Sequence, residues 1–314
     1  MALVFPSKAR PLKIGTRGSP LALAQAHEVR RRLMSAFGLA DECFEIVIIS
    51  TQGDRVLDRP LKELGGKGLF TREIEEDLLA GAIDIAVHSM KDMPVEQPKG
   101  LVLDCFLPRE DARDAFVTLD GKAFSDLPVG AVVGTSSLRR KAQLLYRRPD
   151  LKVVEFRGNV QTRLKKLKEG VAEATFLAMA GLNRLGMLSV RRAPIDADDV
   201  LPAVAQGVIG VERRANDMPV ATLVEALHDK PTERRVAAER AYLEALDGSC
   251  QTPIAGYAEF VDGGLRMRGE ILRTDGSEAL ADEITGPVED AAKMGTALAK
   301  TLLTRAGDGF FDWR

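Results

Sequence analysis

The sequence predicts an α/β protein with a separate α+β module at its C-terminal end. Over the first two-thirds of the chain, short β-rich runs alternate with turns bearing Gly, Ser or Arg and with helical segments. A second cycle of this pattern begins after the polar stretch 108–128, which proline residues interrupt. From residue 254 onward, short strands are separated by Gly-rich turns. The sequence therefore favours α/β lobes followed by a smaller module of a different kind.

The first cycle contains strands that each run into a turn and a helix. These strands are predicted at 12–16, 44–49 and 83–87. Ser19 is the expected N-cap of the first helix, Pro20 opens that helix and Gly38 ends it. Thr51-Gln-Gly-Asp54 is a predicted turn. Because the strands alternate with helices, the sheet should be largely parallel.

The second cycle and the C-terminal module follow from the same patterns. Further strands are predicted at 131–135, 152–156, 174–178, 254–260, 265–271 and 279–284, and a closing helix at 288–304. Residues 202–207 are interpreted as a crossing segment, after which the strand 208–211 can return to the first sheet.

Composition excludes several classes of protein. The formal net charge of −2 provides no field that would attract nucleic acid or a membrane surface. No apolar run approaches the roughly 18 residues of a membrane span, and the first residues lack the features of a secretory signal, so the cytoplasm is the expected location. The 3 cysteines and 3 histidines form no Cys-x-x-Cys pair or His cluster, and we expect neither a disulfide framework nor a metal.

Charged residues, most of them cationic, follow several predicted strands. Arg17, Lys91, Asp92, Arg139, Arg140 and Arg157 lie just past strands, and Arg163 lies about two turns into a helix. Ligands of open α/β sheets bind outside the carboxyl ends of strands, so these residues should share a crevice. Arginine pairs bidentately with carboxylates, and Ser136 and Ser137 add donors at a helix N-terminus. A ligand with many anionic groups would suit this crevice, although a single loop arginine is usually a solvated surface charge and Arg139-Arg140 alone could be a basic helix face.

Two further residues are candidates for chemistry. Asp92, between Lys91 and Met93, suits stabilising a cationic intermediate or exchanging a proton with a pyrrole or amine nitrogen, while its alternative role is to cap a turn. Cys250 lies in a turn-forming loop that can present its thiol to a cleft, although a buried structural cysteine is the alternative. No neighbouring histidine completes a Cys-His hydrolase signature, and Cys43 and Cys105 are expected to pack beside strands.

The glycine-rich run Gly65-Gly-Lys-Gly-Leu-Phe70 resembles a phosphate loop in composition. It lacks the Gly-x-x-x-x-Gly-Lys-Ser/Thr spacing of that loop. We therefore interpret residues 65–68 as a flexible lid or hinge rather than a nucleotide site.

These motifs together resemble one family, the porphobilinogen deaminases. The motifs that carry the resemblance are Arg17-Gly-Ser-Pro-Leu-Ala22, Gly65-Gly-Lys-Gly-Leu-Phe70, Ala86-Val-His-Ser-Met-Lys-Asp92, Gly134-Thr-Ser-Ser-Leu-Arg-Arg140, Arg157-Gly-Asn-Val160 with Arg163, Leu201-Pro-Ala-Val-Ala-Gln-Gly207 and Gly248-Ser-Cys-Gln-Thr-Pro-Ile254. They occur in the family's order over nearly the whole chain. The sequence departs from the family pattern at two small loop residues. Gly18 stands where some relatives carry a polar residue, and Ser249 precedes the cysteine where others have Gly.

The resemblance implies a monomer of three domains. Two are α/β lobes like those of type II periplasmic binding proteins, and the third is a small α+β domain with the cofactor loop. The expected boundaries are 1–107 with 208–226 for domain 1, 108–207 for domain 2 and 227–314 for domain 3.

The resemblance also implies the reaction. Cys250 would hold a dipyrromethane cofactor through a thioether, and four porphobilinogen units would add in sequence, each losing ammonia, before hydrolysis releases hydroxymethylbilane. The implied catalytic residues are Asp92, Lys91 and Arg17. The implied cofactor-binding residues are Cys250, Lys91, Asp92, Thr135, Ser136, Ser137, Arg139, Arg140, Arg157 and Gly158. The implied substrate-binding residues are Arg17, Ser19, Gln25, Phe70, Ser89, Arg157 and Arg163. A role for Lys62 stays open.

Two other functions fit part of the sequence. A solute-binding protein with two lobes would explain the crevice and its arginines but not the Cys250 loop, and the missing signal peptide counts against it. A phosphate-ligand enzyme that uses residues 135–137 would leave the C-terminal module unexplained. Release of ammonia from porphobilinogen distinguishes all three.

Overall fold

The computed structural model of the chain describes residues 5–55, 68–249, 251–307 and 309–311. Its strands are β1 Leu12–Arg17, β2 Phe44–Ile49, β3 Ile85–Ser89, β4 Leu101–Phe106, β5 Asp114–Thr118, β6 Val132–Gly134, β7 Lys152–Val154, β8 Ala174–Ala178, β9 Arg192–Pro194, β10 Ile209–Arg214, β11 Ile254–Val261, β12 Gly264–Leu272 and β13 Ala279–Gly286. Its helices are α1 Pro20–Phe37, α2 Gln52–Arg55, α3 Arg72–Leu79, α4 Leu138–Arg147, α5 Val160–Lys168, α6 Met179–Arg184, α7 Met218–Glu225, α8 Lys230–Ala245 and α9 Ala291–Ala306.

The chain separates into two compact units. One consists of Met1–Arg109 and Val208–Glu233, and the other of Glu110–Gly207 and Arg234–Arg314. The division into three domains stays a prediction. No helix in the part of the chain that the structure describes has the length and apolar character needed to cross a membrane.

The first unit is built on a mixed sheet with the order β2-β1-β3-β10-β4. β1 runs parallel to β2 and β3, and β10 runs antiparallel to β3 and β4. Helix α1 forms as predicted, because Ser19 accepts a hydrogen bond from the amide of Ala22 and Gly38 adopts the left-handed φ of 63° that ends the helix. Its apolar face, with Val29 and Leu33, packs on Ile14 and neighbouring residues of the sheet. The carboxyl ends of β1 and β3 therefore lie side by side.

The second unit contains a sheet with the equivalent order β7-β6-β8-β5-β9. Buried residues cover both faces of this sheet, among them Val133 and Phe176 on one face and Val117 and Leu177 on the other. Ser137 caps α4 by accepting a hydrogen bond from the amide of Arg140. This repeated strand order confirms the predicted pair of α/β lobes.

The C-terminal part of the second unit is an antiparallel sheet, β11-β12-β13, covered by α9. Helices α8 and α9 approach closely at Gly295, where a Cβ would lie 2.0 Å from the carbonyl oxygen of Ala238. The predicted small α+β module is thus confirmed.

Three strands, β4, β5 and β9, lie where the sequence analysis predicted none. β4 carries only a short apolar run, β5 lies inside the polar stretch 108–128, and β9 is only three residues long. All five residues of β5 are buried, so the alternation of apolar and polar residues that marks a half-exposed strand is missing. For this reason the sequence analysis placed no strand within 108–128, and the structure adds β5 there.

Candidate functional site

A pocket opens at the carboxyl ends of β1 and β3 in the first unit. It is lined by Arg17, Ser19, Leu21, Ala22, Gln25, Phe70, Thr71, Val87, His88, Ser89, Asp92 and Met93. Six of the residues predicted from the sequence are among them: Arg17, Ser19, Gln25, Phe70, Ser89 and Asp92. Lys91 belongs to the same 3₁₀ turn as Asp92 but does not line the pocket.

Arg17 is fixed in this pocket by a residue that the sequence analysis did not single out. Its Nε and Nη2 atoms donate to the Asp54 carboxylate at 3.1 and 2.5 Å. Burial acts to raise the pKa of Asp54, but the hydrogen bond and the charge of Arg17 hold that pKa below its usual value. The hydroxyl of the buried Thr51 also donates to Asp54, at 2.7 Å. Asp54 is therefore an ionised partner that holds one edge of the Arg17 fork.

Phe70 lies against the same guanidinium group. The Cζ atom of Arg17 is 4.2 Å from the centre of the Phe70 ring, a cation–π contact. Gly53 leaves room for the ring, since a Cβ at that position would lie 2.2 Å from its Cε1 atom. The Gly53 amide also donates to the carbonyl of Leu69 at 2.9 Å. Helix α2 thus fixes both Arg17, through Asp54, and Phe70, through Gly53.

A side-chain pair from α1 and β3 also lines the pocket. The Gln25 Nε2 atom lies 2.8 Å from the Ser89 Oγ, and the Oε1 atom of the same amide lies 3.1 Å from that hydroxyl. Gln25 is buried, so this pairing satisfies an amide that would otherwise be costly to bury. Both predicted residues therefore shape the pocket wall.

Asp92 ends a 3₁₀ turn directly after β3. The Met90 amide donates to the carbonyl of Val208 at 3.0 Å, which ties this turn to the returning chain. The Asp92 side chain is half-buried, and its carboxylate makes no hydrogen bond or ion pair with any described residue. It is available to a ligand in the pocket.

In the second unit, the structure places Arg139 and Arg140 on a buried aspartate. Asp114 is fully buried and receives Arg139 Nη2 and Arg140 Nη2 at 2.7 Å each. Gln206 Nε2 donates to the same carboxylate at 2.8 Å. Burial acts to raise the pKa of Asp114, but the two arginine charges hold it well below the usual range, while burial lowers the pKa of Arg139.

The sequence predicted that the guanidinium groups of Arg139 and Arg140 face an open crevice, but in the structure they bond to groups of the protein itself. Arg139 Nη1 donates to the carbonyl of Leu201 at 2.7 Å, and Arg140 Nη1 donates to that of Phe176 at 3.1 Å. The Nε atoms of both arginines are buried and have no hydrogen-bond partner among the described residues. Each guanidinium group therefore has one nitrogen, Nε, that makes no hydrogen bond to any described residue, and the assignment of both residues to cofactor binding stays a prediction.

Most other predicted residues of the second unit lie in turns at the carboxyl ends of β6 and β7, and Arg163 lies in the first part of α5. The Thr135 hydroxyl accepts from the Ser137 amide at 3.2 Å, and the Ser136 hydroxyl accepts from the Phe156 amide at 3.0 Å. Arg163 Nε donates to the carbonyl of Gly158 at 2.9 Å, where the φ of 118° requires glycine. Arg157 is half-buried in the same turn. That this group shares one crevice with the Arg17 pocket stays a prediction.

Cys250 lies outside the described residues, as do Lys62 and residues 65–67 of the predicted lid. The flanking loop is ordered by side chains, because the Thr252 hydroxyl donates to the carbonyl of Ser249 at 2.7 Å and the Gln251 amide donates to the Ser249 hydroxyl at 3.1 Å. Burial raises the pKa of Cys105 to about 12, and its thiol donates to a carbonyl at 3.1 Å. Cys105 therefore packs as predicted and has little thiolate character.

The sequence analysis missed the partners rather than the sites. Asp54 was noted only as part of a turn, and Asp114 was not noted at all. A histidine–glutamate pair, His88 and Glu212, was missed as well, although His88 stood inside a quoted motif. Among the described residues, no group of three or more His, Cys, Asp or Glu side chains is arranged to hold a metal ion.

Comparisons with known proteins agree with the resemblance. Residues 12–222 match the family model described as porphobilinogen deaminase, dipyromethane cofactor binding domain, and residues 234–304 match the C-terminal domain of the same family. A porphobilinogen deaminase of Paracoccus denitrificans is 68% identical over 309 residues, which cover 98% of this chain and 99% of the relative. A chloroplastic porphobilinogen deaminase of Oryza sativa is 52% identical over 98% of this chain and 87% of its own length.

Solved structures are more distant. A periplasmic binding protein of Salmonella typhimurium superposes with a TM-score of 0.40 at 15% identity, covering 71% of this chain and 93% of its own. At this distance the superposition supports no conclusion about binding.

Proposed function

Because this chain belongs to the porphobilinogen deaminase family, we propose that the pocket containing Asp92 is where it condenses porphobilinogen into a linear tetrapyrrole. The chain is an enzyme, a transferase of the hydroxymethylbilane synthase type, and dipyrromethane is its cofactor. This family membership excludes the solute-binding protein and the phosphate-ligand enzyme. The observation that carries the proposal is the Asp92 carboxylate, half-buried in the pocket and without a partner among the described residues.

The pocket suits a small anionic pyrrole. Arg17 has one edge held by Asp54, so its remaining donors are directed by a rigid partner and can pair with a substrate carboxylate. Phe70 offers an aromatic face beside that guanidinium group, against which a pyrrole ring can stack. Ser19, Gln25 and Ser89 supply neutral donors and acceptors in the same lining.

Asp92 provides the negative charge at the reacting end of the pocket. Loss of ammonia from porphobilinogen leaves a cationic pyrrole, which an ionised carboxylate stabilises when water is largely excluded. The same carboxylate can exchange a proton with a pyrrole nitrogen. The adjoining Lys91 is retained in the proposal as a residue that assists Asp92 and contacts cofactor carboxylates.

The second unit fits a ligand that carries several carboxylates. The unsatisfied Nε donors of Arg139 and Arg140 are buried, and buried donors favour an anionic acceptor. Residues that would hold the cofactor with them are Thr135, Ser136, Ser137, Arg157 and Gly158, with Arg163 contacting substrate. When bound through Cys250, the cofactor supplies the terminal pyrrole to which new units are joined.

A single substitution tests the role of Asp92. Asp92→Asn keeps the shape of the side chain but removes its charge, so ammonia release and bilane formation should stop. Attachment of the cofactor should remain possible, and intact mass monitors it in the same preparation. Near-normal bilane production by a correctly folded Asp92→Asn enzyme would refute the role.

Two features of the proposal concern the whole chain. We propose a monomer that acts in the cytoplasm and binds no nucleic acid, supported by the net charge of −2. Light scattering after gel filtration should give one chain per particle at about 34.1 kDa. A particle of twice that mass would contradict the monomer.

We also propose the three-domain division, for which limited proteolysis should cleave near residues 107, 207 and 226.

A further inference from the structure

A buried histidine–glutamate pair lies beside the pocket. His88 Nε2 and Glu212 Oε2 are 3.1 Å apart, and the side chains are only 4% and 0% exposed. The pair is set by the register of β3 and β10, in which His88 pairs with Gly210 and Glu212 pairs with Ala86. Both side chains therefore point to the sheet face that α3 covers.

Burying this pair in a sheet costs free energy of desolvation. A buried carboxylate requires partners for both of its oxygens, yet Glu212 Oε1 is buried without a hydrogen-bond partner among the described residues. A second carboxylate, Glu75 of α3, is also buried, and burial together with the charge of Glu212 raises its pKa. The other charged group that acts on Glu75 from α3 is Arg72, whose side chain is exposed. A valine at position 212 would stabilise the sheet more than a buried glutamate. Buried clusters of titratable groups such as this one are typical of functional sites.

The position of His88 indicates what the pair can do. His88 lines the pocket together with Ser89 and Asp92. With Nε2 bonded to the Glu212 carboxylate, the ring is held in one orientation and Nδ1 is left to gain or lose a proton. A carboxylate, an imidazole and a substrate cavity in this order form a general acid–base unit in other enzymes.

We propose that His88 is a second proton-transfer residue of this pocket, acting beside Asp92, and that Glu212 is its positioning residue. This rests on the proposed function of the Asp92 pocket. The protonated aminomethyl group of porphobilinogen leaves as ammonia with the C–N electron pair, and a new C–C bond forms at the methylene carbon. The ring carbon that attacked the methylene carbon then passes its proton to His88 Nδ1, and the C–H electron pair restores the aromatic ring. His88 then protonates the released ammonia, which departs as ammonium and leaves the ring as it began.

Kinetics of His88→Gln test the proposal. Glutamine keeps a polar side chain but cannot carry the proton, so kcat per cofactor-loaded enzyme should fall about 100-fold or more while KM stays close to that of the parent. Glu212→Gln should lower kcat to a smaller extent, again without raising KM. The matched control is His228→Gln. The Nε2 atom of His228 lies 3.5 Å from Glu233 Oε2, a comparable pair, but His228 does not line the pocket. Its kcat should match the parent's.

A second readout does not depend on turnover. The chain has 3 histidines, so ¹⁵N-histidine NMR resolves them and His88→Gln assigns the signal. In Asp92→Asn protein, porphobilinogen should shift the His88 Nδ1 resonance and leave those of His27 and His228 in place, and Glu212→Gln should move the His88 signals before substrate is added. An unmoved His88 resonance, or a folded His88→Gln enzyme with the parent's kcat, would overturn the proposal. If the His88→Gln chain does not fold, the His88 shift observed in Asp92→Asn protein decides the proposal. Failure of the proposed function is distinguishable, since the parent would then release no ammonia.

Discussion

Asp114→Asn should destabilise the second unit because it leaves two arginine charges buried. At 2.7 Å and an effective dielectric constant of 20, each Asp114–arginine contact amounts to about 6 kcal/mol before desolvation. Desolvation of all three groups and the repulsion between Arg139 and Arg140 offset most of this. Removing one partner of such a buried pair typically costs about 3–5 kcal/mol. We expect that loss in the free energy of unfolding, which corresponds to a fall in Tm of about 6–20 °C.

The assay is urea unfolding of Asp114→Asn beside Asp111→Asn. Asp111 also pairs with an arginine, at 2.8 Å, but the Arg113 side chain is 42% exposed. Loss of the Asp111–Arg113 ion pair should therefore change the free energy of unfolding by at most about 1 kcal/mol. The pKa of Asp114 is lowered by folding, so its stabilisation is present above the usual carboxyl range and is lost as the pH falls below it. The difference between parent and Asp114→Asn should therefore shrink below about pH 4. Equal stability of the two variants at pH 7 would refute this account of the cluster.

Three further predictions concern the first unit. Asp54→Asn should lower kcat/KM about tenfold or more, because Arg17 loses a charged hydrogen-bond partner; steady-state kinetics with porphobilinogen measure this, and unchanged kcat/KM would contradict it. Gly53→Ala should raise KM about threefold or more, since its Cβ displaces the Phe70 ring, while the higher helix propensity of alanine leaves Tm nearly unchanged; a normal KM would show that the ring position is unimportant. Cys105, whose pKa is raised to about 12, should resist a thiol reagent at pH 8 in the folded protein, and modification as fast as in urea would contradict its burial.

The sequence predicted those features that depend on neighbouring residues. The capping of α1 by Ser19 and Gly38, the turn after β3 and the small C-terminal module all follow from local patterns, and the structure confirms them. The strand order was not predicted and is known from the structure alone. Local reasoning failed at β5, because a fully buried strand of five residues shows no alternation.

The partners of the site residues could not be predicted in the same way. Asp54 is 37 positions from Arg17 in sequence, Asp114 is 25 positions from Arg139, and Glu212 is 124 positions from His88. Such contacts depend on strand register and on which face of a sheet each residue occupies, and no spacing rule contains that information. The sequence therefore identified many cationic groups, and the structure identified the carboxylates that hold several of them.

The most direct test of the central claim is intact-protein mass spectrometry of the purified chain beside a Cys250→Ser variant. The account predicts that the parent carries an added mass of two porphobilinogen units less two ammonias and that the variant does not. A parent that has the bare mass, and keeps it after incubation with porphobilinogen, would contradict the attachment of the cofactor and the condensation that depends on it.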